Sequence, residues 1–376
     1  MIVALVLSGG GARAAYQVGF LRCLAKHFPN LHIPIMTGVS AGAINASFLA
    51  NYQGTFSEAV EELVRLWLSL TVEQVFCVDT WKLIGNVFRW GGRLVSGGIS
   101  KESSARSLLD STPLRNLLQM NLAPGGNVLG GIRQKLNTGK LKAFAITGTN
   151  YATGQAVTWA QGRDIRTWER PWRRSDITEI TIDHIMSSAA LPLIFPAVKI
   201  GKAWYGDGSI RQSAPLSPAI YLGAKRIIAL STRYGRSIAE ACTPLCVGYP
   251  PPAQIAGVLM NSVFLDALDQ DIRTLERTNR LLEQIPEEQH RDRQMVEFFL
   301  IRPSKDLGKL SGEFEPNLPY MFRYLSRGIG THETKSPDWL SMVMFDPQYL
   351  SHLVKMGEMD AEKRIDEISE LVNQKS

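Results

Sequence analysis

The sequence predicts an α/β fold, a three-layer sandwich with a mainly parallel central sheet, followed by a helical C-terminal extension. The first observation behind this prediction is a continuous apolar run at residues 2–7, which is typical of a parallel strand covered on both faces. The second is that strand, tight turn and helix patterns occur twice within residues 2–52. The chain has 376 residues, of which 45% are hydrophobic, so it holds enough apolar material for a large core.

The first two units define one edge of the predicted sheet. A helix is expected from Ala12 to His27, because apolar residues recur there at helical spacing and Pro29 follows. A short apolar strand at 32–36 and a second helix at 41–52 complete a βαβα start. Short connections and right-handed crossovers place both tight turns at the carboxyl edge of a parallel sheet.

The middle of the chain alternates between regular and irregular patterns. Residues 58–70 have an acidic and apolar helix pattern, whereas residues 71–138 contain several glycine pairs and are interpreted as an inserted lid or cap. Further strands are predicted at 142–149, 156–159 and 226–231, where apolar residues alternate or form short runs. The sheet is therefore expected to resume after the insert.

The C-terminal part has a helical texture. Apolar residues recur at helical intervals from Val258 to Leu282, which predicts one long amphipathic helix that ends before Pro286. The tail at 338–372 has a mostly helical pattern as well. The predicted organisation is a catalytic-type domain at 1–235, which contains the insert at 71–138, and a mostly helical extension at 236–376.

Charge and cysteine content exclude few function classes. Lys and Arg total 41 and Asp and Glu total 35, so the formal charge is +6, a mild basicity that suits an anionic membrane surface, an acidic substrate or nucleic acid. The sequence has no helix-turn-helix, zinc or RNA-recognition signature, so no nucleic-acid partner is expected.

The four cysteines are too scattered for a disulfide framework, and the N-terminal apolar run lacks the basic leader of a signal peptide. A reducing, cytoplasmic location is expected.

Residues 38–42 carry the sharpest local signal, GVSAG, a G-x-S-x-G pattern between a predicted strand and a predicted helix. A nucleophilic serine needs its hydroxyl lifted clear of the sheet on a strained turn, and the flanking glycines remove Cβ atoms that would clash there. The following helix directs its positive end toward Ser40 and stabilises a developing negative charge. The alternative is a turn of small residues with a structural serine, but the strand, turn and helix setting favours a catalytic Ser40.

A glycine row, Gly9 to Gly11, with Arg13 close behind it, follows the first strand. Its spacing also fits a dinucleotide-binding fingerprint, which needs an acidic residue about 20 positions further on. The first acidic residue of the chain is Glu58, so the dinucleotide interpretation is rejected. We expect the bare amides of Gly9, Gly10 and Gly11 to form an oxyanion hole for the serine, with Arg13 adding positive charge. A plain tight turn would use the same glycines.

A serine nucleophile requires a base, and Asp207 in the segment YGDGS is the candidate. An aspartate between glycines fits a loop close to other backbone, although such a pair is by itself more often a plain turn. Asp207 can take the Ser40 proton and return it to the leaving group if the two side chains come within hydrogen-bond reach. None of the six histidines has a comparable setting, so a Ser–Asp dyad is predicted. No cluster of potential ligands has metal-binding spacing, so neither a metal nor another cofactor is expected.

Four ordered blocks of the sequence resemble the characteristic motifs of the patatin-like phospholipase family. They are SGGGARAAYQVG at 8–19, GVSAG at 38–42, SSAALPLIFPAV at 187–198 and DGS at 207–209. The resemblance extends over residues 1–233. It implies an α/β fold, a dyad of Ser40 and Asp207 with a glycine-rich oxyanion hole, and hydrolysis of fatty acyl esters in phospholipids or related lipids.

Two residues depart from the family pattern without removing a reacting group. Ala14 stands where the family most often has glycine, and Ser209 stands where glycine or alanine is common. Ala14 can restrict the backbone angles of the glycine loop. It therefore puts the reaction rate in question more than the type of reaction.

The third block has a physical interpretation of its own. Pro192 and Pro196 among apolar residues forbid a regular helix and give a rigid apolar wall. Leu191, Pro192 and Phe195 are therefore candidate substrate-binding residues that line an acyl channel. An ordinary core loop fits the same residues equally well.

Two segments interleave aromatic and basic residues, as lipid-binding surfaces do, although solvated loops with buried tryptophans give the same pattern. They contain Trp81, Phe88, Arg89, Trp90 and Arg93 in the insert, and Trp168, Arg170, Trp172, Arg173 and Arg174 further on. The expected partners are an acyl lipid substrate and a candidate peripheral membrane surface, and the oligomeric state stays open. The expected function is a lipid acyl hydrolase of phospholipase A or lysophospholipase type. The alternatives are an acyltransferase with the same dyad and a lipid-binding protein with a degenerate site.

Overall fold

The structure, a computed structural model, describes residues 2–77, 107–246, 248–290, 293–328 and 330–373. In this part of the chain ten strands form one sheet. The strands are β1 Val3–Leu7, β2 Ile35–Val39, β3 Ala143–Asn150, β4 Ala156–Gly162, β5 Glu169–Arg170, β6 Arg173–Ile177, β7 Val198–Ile200, β8 Ala203–Asp207, β9 Arg226–Leu230 and β10 Glu297–Ile301. Their order is β10-β9-β1-β2-β3-β4-β6-β5, with β8 paired to β3 and to β7.

Helices cover the sheet and form most of the C-terminal part. They are α1 Ala15–His27, α2 Ala41–Asn51, α3 Phe56–Leu68, α4 Val72–Val75, α5 Thr112–Leu122, α6 Gly130–Asn137, α7 Ile182–Ser188, α8 Ser217–Tyr221, α9 Ile238–Ala241, α10 Pro252–Phe264, α11 Asp266–Leu282, α12 Leu307–Phe314, α13 Tyr320–Gly328, α14 Asp338–Val343, α15 Pro347–Glu362 and α16 Ile365–Asn373. Among the described helices, none has the length and apolar character needed to cross a bilayer.

The centre of the sheet is parallel and has a core on each face. The strands β10, β9, β1, β2 and β3 pair in parallel with their neighbours, and β4 and β8 pair antiparallel with β3. Successive residues of β1 alternate between the two cores, with Leu5 and Leu7 in one and Ala4 and Val6 in the other. Side chains of α1, α2, α3 and α15 fill the first core, and those of α8 and α11 fill the second. The predicted three-layer α/β sandwich is confirmed.

Parallel pairing of β1 with β2 brings the two tight turns to one edge of the sheet. Leu7, the last residue of β1, lies opposite Gly38 near the end of β2. The glycine row and Ser40 both follow directly, so they lie side by side at the carboxyl ends of neighbouring strands, as expected for this connection.

The C-terminal part joins the sandwich through a strand and a helix. Strand β10 pairs in parallel with β9, which extends the sheet beyond the region where strands were predicted. Helix α15 packs along α1 through glycines: a Cβ atom at Gly19 would lie 1.8 Å from the Val354 carbonyl oxygen, and one at Gly357 would lie 2.0 Å from that of Tyr16. The two backbones therefore touch. The boundary between two units at residue 235 stays a prediction.

The long helix predicted from Val258 to Leu282 is wrong, because the chain forms two helices that meet at Leu265. Asp266 and Asp269 lie in the first turn of α11, where acidic side chains favour a helix N-terminus, and both bind Arg233. The apolar periodicity continues across the break and conceals it.

Two further predictions are corrected or limited. The second strand was predicted at 32–36 and lies at Ile35–Val39, since it begins after Pro34 and continues through Thr37 and Gly38, which an apolar run does not include. The predicted irregular insert contains α4, α5 and α6 where it is described, and its residues 78–106 lie outside the described part of the chain.

Substitution of Gly357 by Ala should lower the free energy of unfolding by about 1–3 kcal/mol, because the added Cβ must push α15 away from α1. Gly130→Ala is the matched control, since nothing lies within 4 Å of its Cβ position. Urea unfolding of both variants provides the measurement. Equal stability of Gly357→Ala and wild type would show that the two helices do not pack this closely.

Candidate active site

Ser40 occupies a strained turn between β2 and α2. Its backbone has φ 55° and ψ −132°, a conformation that non-glycine residues rarely adopt, and only 2% of the residue is exposed. The Ser40 amide donates to Ser188 Oγ at 3.1 Å, and the Ser188 hydroxyl donates to the Thr147 carbonyl at 2.6 Å. Helix α7 and strand β3 therefore hold the turn from behind, in the geometry that a nucleophilic serine requires.

Asp207 ends strand β8 next to β3 and is fully buried. Its amide donates to the Ala190 carbonyl at 2.9 Å, and the Thr149 hydroxyl donates to its carbonyl at 2.8 Å. The carboxylate oxygen Oδ1 accepts the amide of Ser209 at 2.9 Å. The backbone on both sides of the aspartate is thus fixed.

Burial dominates the electrostatics of Asp207 and raises its pKa to about 6. Hydrogen bonding from the Ser40 side chain and from the amide and hydroxyl of Ser209 opposes this rise. Neither Asp207 Oδ2 nor Ser209 Oγ has a partner of standard hydrogen-bond geometry, so the contacts of Asp207 with the two hydroxyls are loose.

The glycine row lies directly against Ser40. A Cβ atom at Gly9 would lie 2.9 Å from Ser40 Cβ and 3.6 Å from its Oγ, so only glycine allows this approach. Within the described residues, the amides of Gly9 and Gly10 donate to no acceptor. The Thr232 hydroxyl holds the row by donating to the Gly9 carbonyl at 2.6 Å. Bare amides beside a serine hydroxyl are suited to bind an oxyanion.

Arg13 is buried and occupied by the C-terminal part of the chain. Its Nη2 donates to Asp338 Oδ1 at 2.6 Å, and its Nε donates to Ser341 Oγ at 2.6 Å. Since its charge is paired with Asp338, we expect Arg13 to act on an oxyanion through the position of the loop rather than by direct contact.

An apolar cavity of about 650 Å³, including its opening to solvent, begins at Ser40. It is lined by Gly11, Ser40, Ala41, Ile44, Leu66, Trp67, Leu70, Val75, Leu114, Leu117, Leu118, Ala189, Leu191, Phe195, Met342, Val343 and Phe345. Two of the predicted substrate-binding residues, Leu191 and Phe195, are therefore in the wall, whereas Pro192 is half-buried and outside it. Sequence reasoning missed Met342, Val343 and Phe345, because no local motif connects them with the serine.

The six histidines all make contacts away from Ser40 and Asp207. They contact Glu362 (His27), Lys140 (His32), Thr181 (His184), Leu282 (His290), Glu333 (His332) and Gln348 (His352). Burial lowers the pKa of His184 to about 4, so it is neutral beside Trp159. No histidine is thus in place to serve as the base for Ser40.

One group of potential metal ligands occurs in the described part of the chain. Cys23, His27 and Glu362 bring their ligand atoms within 4.8 Å of one another between α1 and α15, away from the serine. Burial, together with the hydrogen bond to Glu362, raises the pKa of Cys23 to about 12, so the thiol is neutral.

The aromatic and basic surface residues are only partly described. Trp81, Phe88, Arg89, Trp90 and Arg93 lie outside the described residues. Trp168 is half-buried and stacks on Tyr221, whereas Trp172 is 66% exposed with Arg211 above its ring. The second segment thus combines a packed tryptophan with an exposed one.

Comparison with known proteins identifies the sequence relationship. A family model described as patatin-like phospholipase matches residues 5–220, which is more than half of the chain. No curated protein matches the sequence. Similar solved structures are VipD from Legionella pneumophila (14% identity, TM-score 0.42), human GIVD cytosolic phospholipase A2 (11%, 0.48) and the type III effector ExoU of Pseudomonas aeruginosa (13%, 0.39). The matches cover 97%, 99% and 97% of this chain and 67%, 59% and 53% of those proteins.

Proposed function

We propose that this chain, which belongs to the patatin-like phospholipase family, is a lipid acyl hydrolase of phospholipase A or lysophospholipase type. The observation that supports this proposal most strongly is that Ser40, next to a buried carboxylate, lines an otherwise apolar cavity. A fatty acyl chain suits such a cavity because it has no polar group beyond its ester.

In the first step Asp207 acts as general base. With a pKa of about 6 its carboxylate is ionised at neutral pH and can accept the Ser40 proton. Ser40 Oγ then attacks the ester carbonyl carbon, and the carbonyl oxygen becomes an oxyanion held by the amides of Gly9, Gly10 and Gly11. When the intermediate collapses, Asp207 returns the proton to the departing alcohol oxygen, and the acyl group stays on Ser40.

In the second step water completes the reaction. Asp207 takes a proton from the water molecule as its oxygen attacks the acyl carbonyl, and the same amides hold the second oxyanion. Collapse releases the fatty acid and returns the proton to Ser40. No metal or cofactor takes part in this scheme.

We further propose that the protein acts in a reducing compartment such as the cytoplasm and at a peripheral membrane surface. All four cysteines are free, in agreement with a reducing location. The exposed Trp172 with Arg211 above it has the character of a lipid-interface contact.

Ser40→Ala and Asp207→Asn should each reduce fatty acid release from a mixed lipid extract by at least about a thousandfold, because one removes the nucleophile and the other the base. Mass analysis of the products, with and without an added acceptor alcohol, provides the measurement. Transfer to the acceptor in place of hydrolysis would favour an acyltransferase, and lipid binding without turnover would favour a degenerate site.

Two controls accompany this experiment. Ser47→Ala removes a buried serine of α2, the helix that follows Ser40, and should leave the activity unchanged. Asp207→Asn should be at least as stable as wild type at pH 7, since burial of its charge is unfavourable there. Full activity of either dyad variant would refute the mechanism.

The acidic limb of the kcat/KM profile should lie near pH 6, because kcat/KM reports the free enzyme and only the ionised Asp207 can act as base. Activity therefore rises with pH through this range and then levels off. Ser209→Ala should move the limb to higher pH, since the Ser209 hydroxyl lowers the pKa of Asp207. A limb that moves to lower pH in this variant, or a wild-type profile without an acidic limb near pH 6, would speak against Asp207 as the base.

Leu118→Trp should shorten the acyl chains that the enzyme accepts. Leu118 is 2% exposed and lines the cavity, so a larger side chain fills space that a long chain needs. We expect kcat/KM for a sixteen-carbon p-nitrophenyl ester to fall by about tenfold or more, with a much smaller change for a four-carbon ester. Met120→Trp, on the same helix but 68% exposed, should change neither value. Equal losses for both esters would place the acyl chain elsewhere.

A further inference from the structure

Helix α14, in the C-terminal part of the chain, contacts the loop that carries the glycine row. Gly11 has φ 56°, and a Cβ atom there would lie 2.1 Å from the Met342 carbonyl oxygen. Two residues later, Arg13 forms its ion pair with Asp338, in which the side chains are 3% and 9% exposed. The loop that carries the bare amides is therefore in contact with α14 at both points.

Asp338 is the centre of these contacts. Its Oδ1 accepts from Arg13, and its Oδ2 accepts from Asn261 Nδ2 of helix α10 at 2.8 Å. Its carbonyl oxygen accepts from Arg13 at 3.2 Å and from the Ser341 hydroxyl at 2.6 Å. Since Ser341 Oγ in turn accepts from Arg13 Nε, the guanidinium is held on two sides.

A row of glycines needs such external support. Glycine adopts more backbone conformations than any other residue, so a glycine loop does not fix its own amides. An oxyanion hole is effective only when its donors already point at the place where charge develops. Side chains that hold the loop include Thr232, through the Gly9 carbonyl, and Arg13, through Asp338. Gln17 Nε2 donates to the Ser8 carbonyl, directly before the row, at 2.8 Å.

We propose that Asp338 is a positioning residue for the oxyanion hole, which holds the Gly9–Gly11 amides against Ser40 by fixing Arg13. This inference rests on the proposed function. It also implies that the active site is completed by residues outside the family-matched segment 5–220, because α14 follows that segment by more than a hundred residues.

Asp338→Asn is the primary test, with p-nitrophenyl butyrate as the probe. The asparagine side chain is neutral, so the variant lacks the charge that holds Arg13. We expect kcat to fall by about tenfold to a hundredfold while KM changes little, because only the transition state uses the oxyanion hole. Rates are divided by the concentration of active sites, titrated with a fluorophosphonate, so that loss of folded protein does not count as loss of kcat. Glu315→Gln, which breaks the ion pair of the buried Glu315 with the exposed Arg327 in the same half of the chain, should leave kcat unchanged.

A double-mutant cycle separates positioning from a general structural role. If Asp338 acts through Arg13, the variant that combines Asp338→Asn with Arg13→Met should be no slower than Arg13→Met alone. Independent structural effects would multiply instead and overturn the proposal. Should Asp338→Asn fail to fold, Ser341→Ala decides: it removes one acceptor of Arg13 without burying a charge, and kcat should fall several-fold at unchanged KM.

The outcomes distinguish this inference from the function on which it depends. If the wild-type protein is inactive on every ester tested, both the proposed function and the role of Asp338 are refuted. The other informative result has three parts: the wild type is active, Ser40→Ala abolishes this activity, and Asp338→Asn and Ser341→Ala keep the wild-type kcat. That result would refute only the role of Asp338.

Discussion

The turn at Ser40 is the constraint on which the site depends. A serine at φ 55° is strained by roughly 1–3 kcal/mol, and such a conformation persists only where the surroundings determine it. Here the surroundings are the parallel pair β1 and β2, the helix α2 and the bond from Ser40 to Ser188. Two large hydrophobic cores stabilise the sandwich, so the fold tolerates the small local strain at Ser40.

The site keeps its charges apart. Asp207 is buried with neutral hydrogen-bond donors, and burial raises its pKa toward the range where a carboxylate is an effective base. A cation beside it would lower the pKa and weaken it as a base. Arg13 is not among the groups that shift the pKa of Asp207, and its charge is paired with that of Asp338.

Sequence reasoning predicted the parts of the candidate site that are encoded locally. The fold class, the turn at Ser40 and the bare glycine row follow from short patterns whose geometry is fixed by neighbouring residues. The strand β10, the break at Leu265 and the wall residues Met342 and Phe345 do not, since each depends on what the chain packs against. Arg13 illustrates the limit: its sequence position marks it as part of the loop, but its partner is 325 residues away.

Different parts of the chain contribute different parts of the proposed site. In the proposed mechanism, residues in the family-matched segment supply the serine, the carboxylate and the glycine row, which set the type of reaction. Residues beyond it supply the support of Arg13 and one wall of the apolar cavity. Substitutions in α14 or at Phe345 can therefore change which acyl chain fits, or how well the amides are aligned, without touching either reacting group. The C-terminal part is then a component of the proposed active site, and its packing against α1 and β9 is what keeps that component in place.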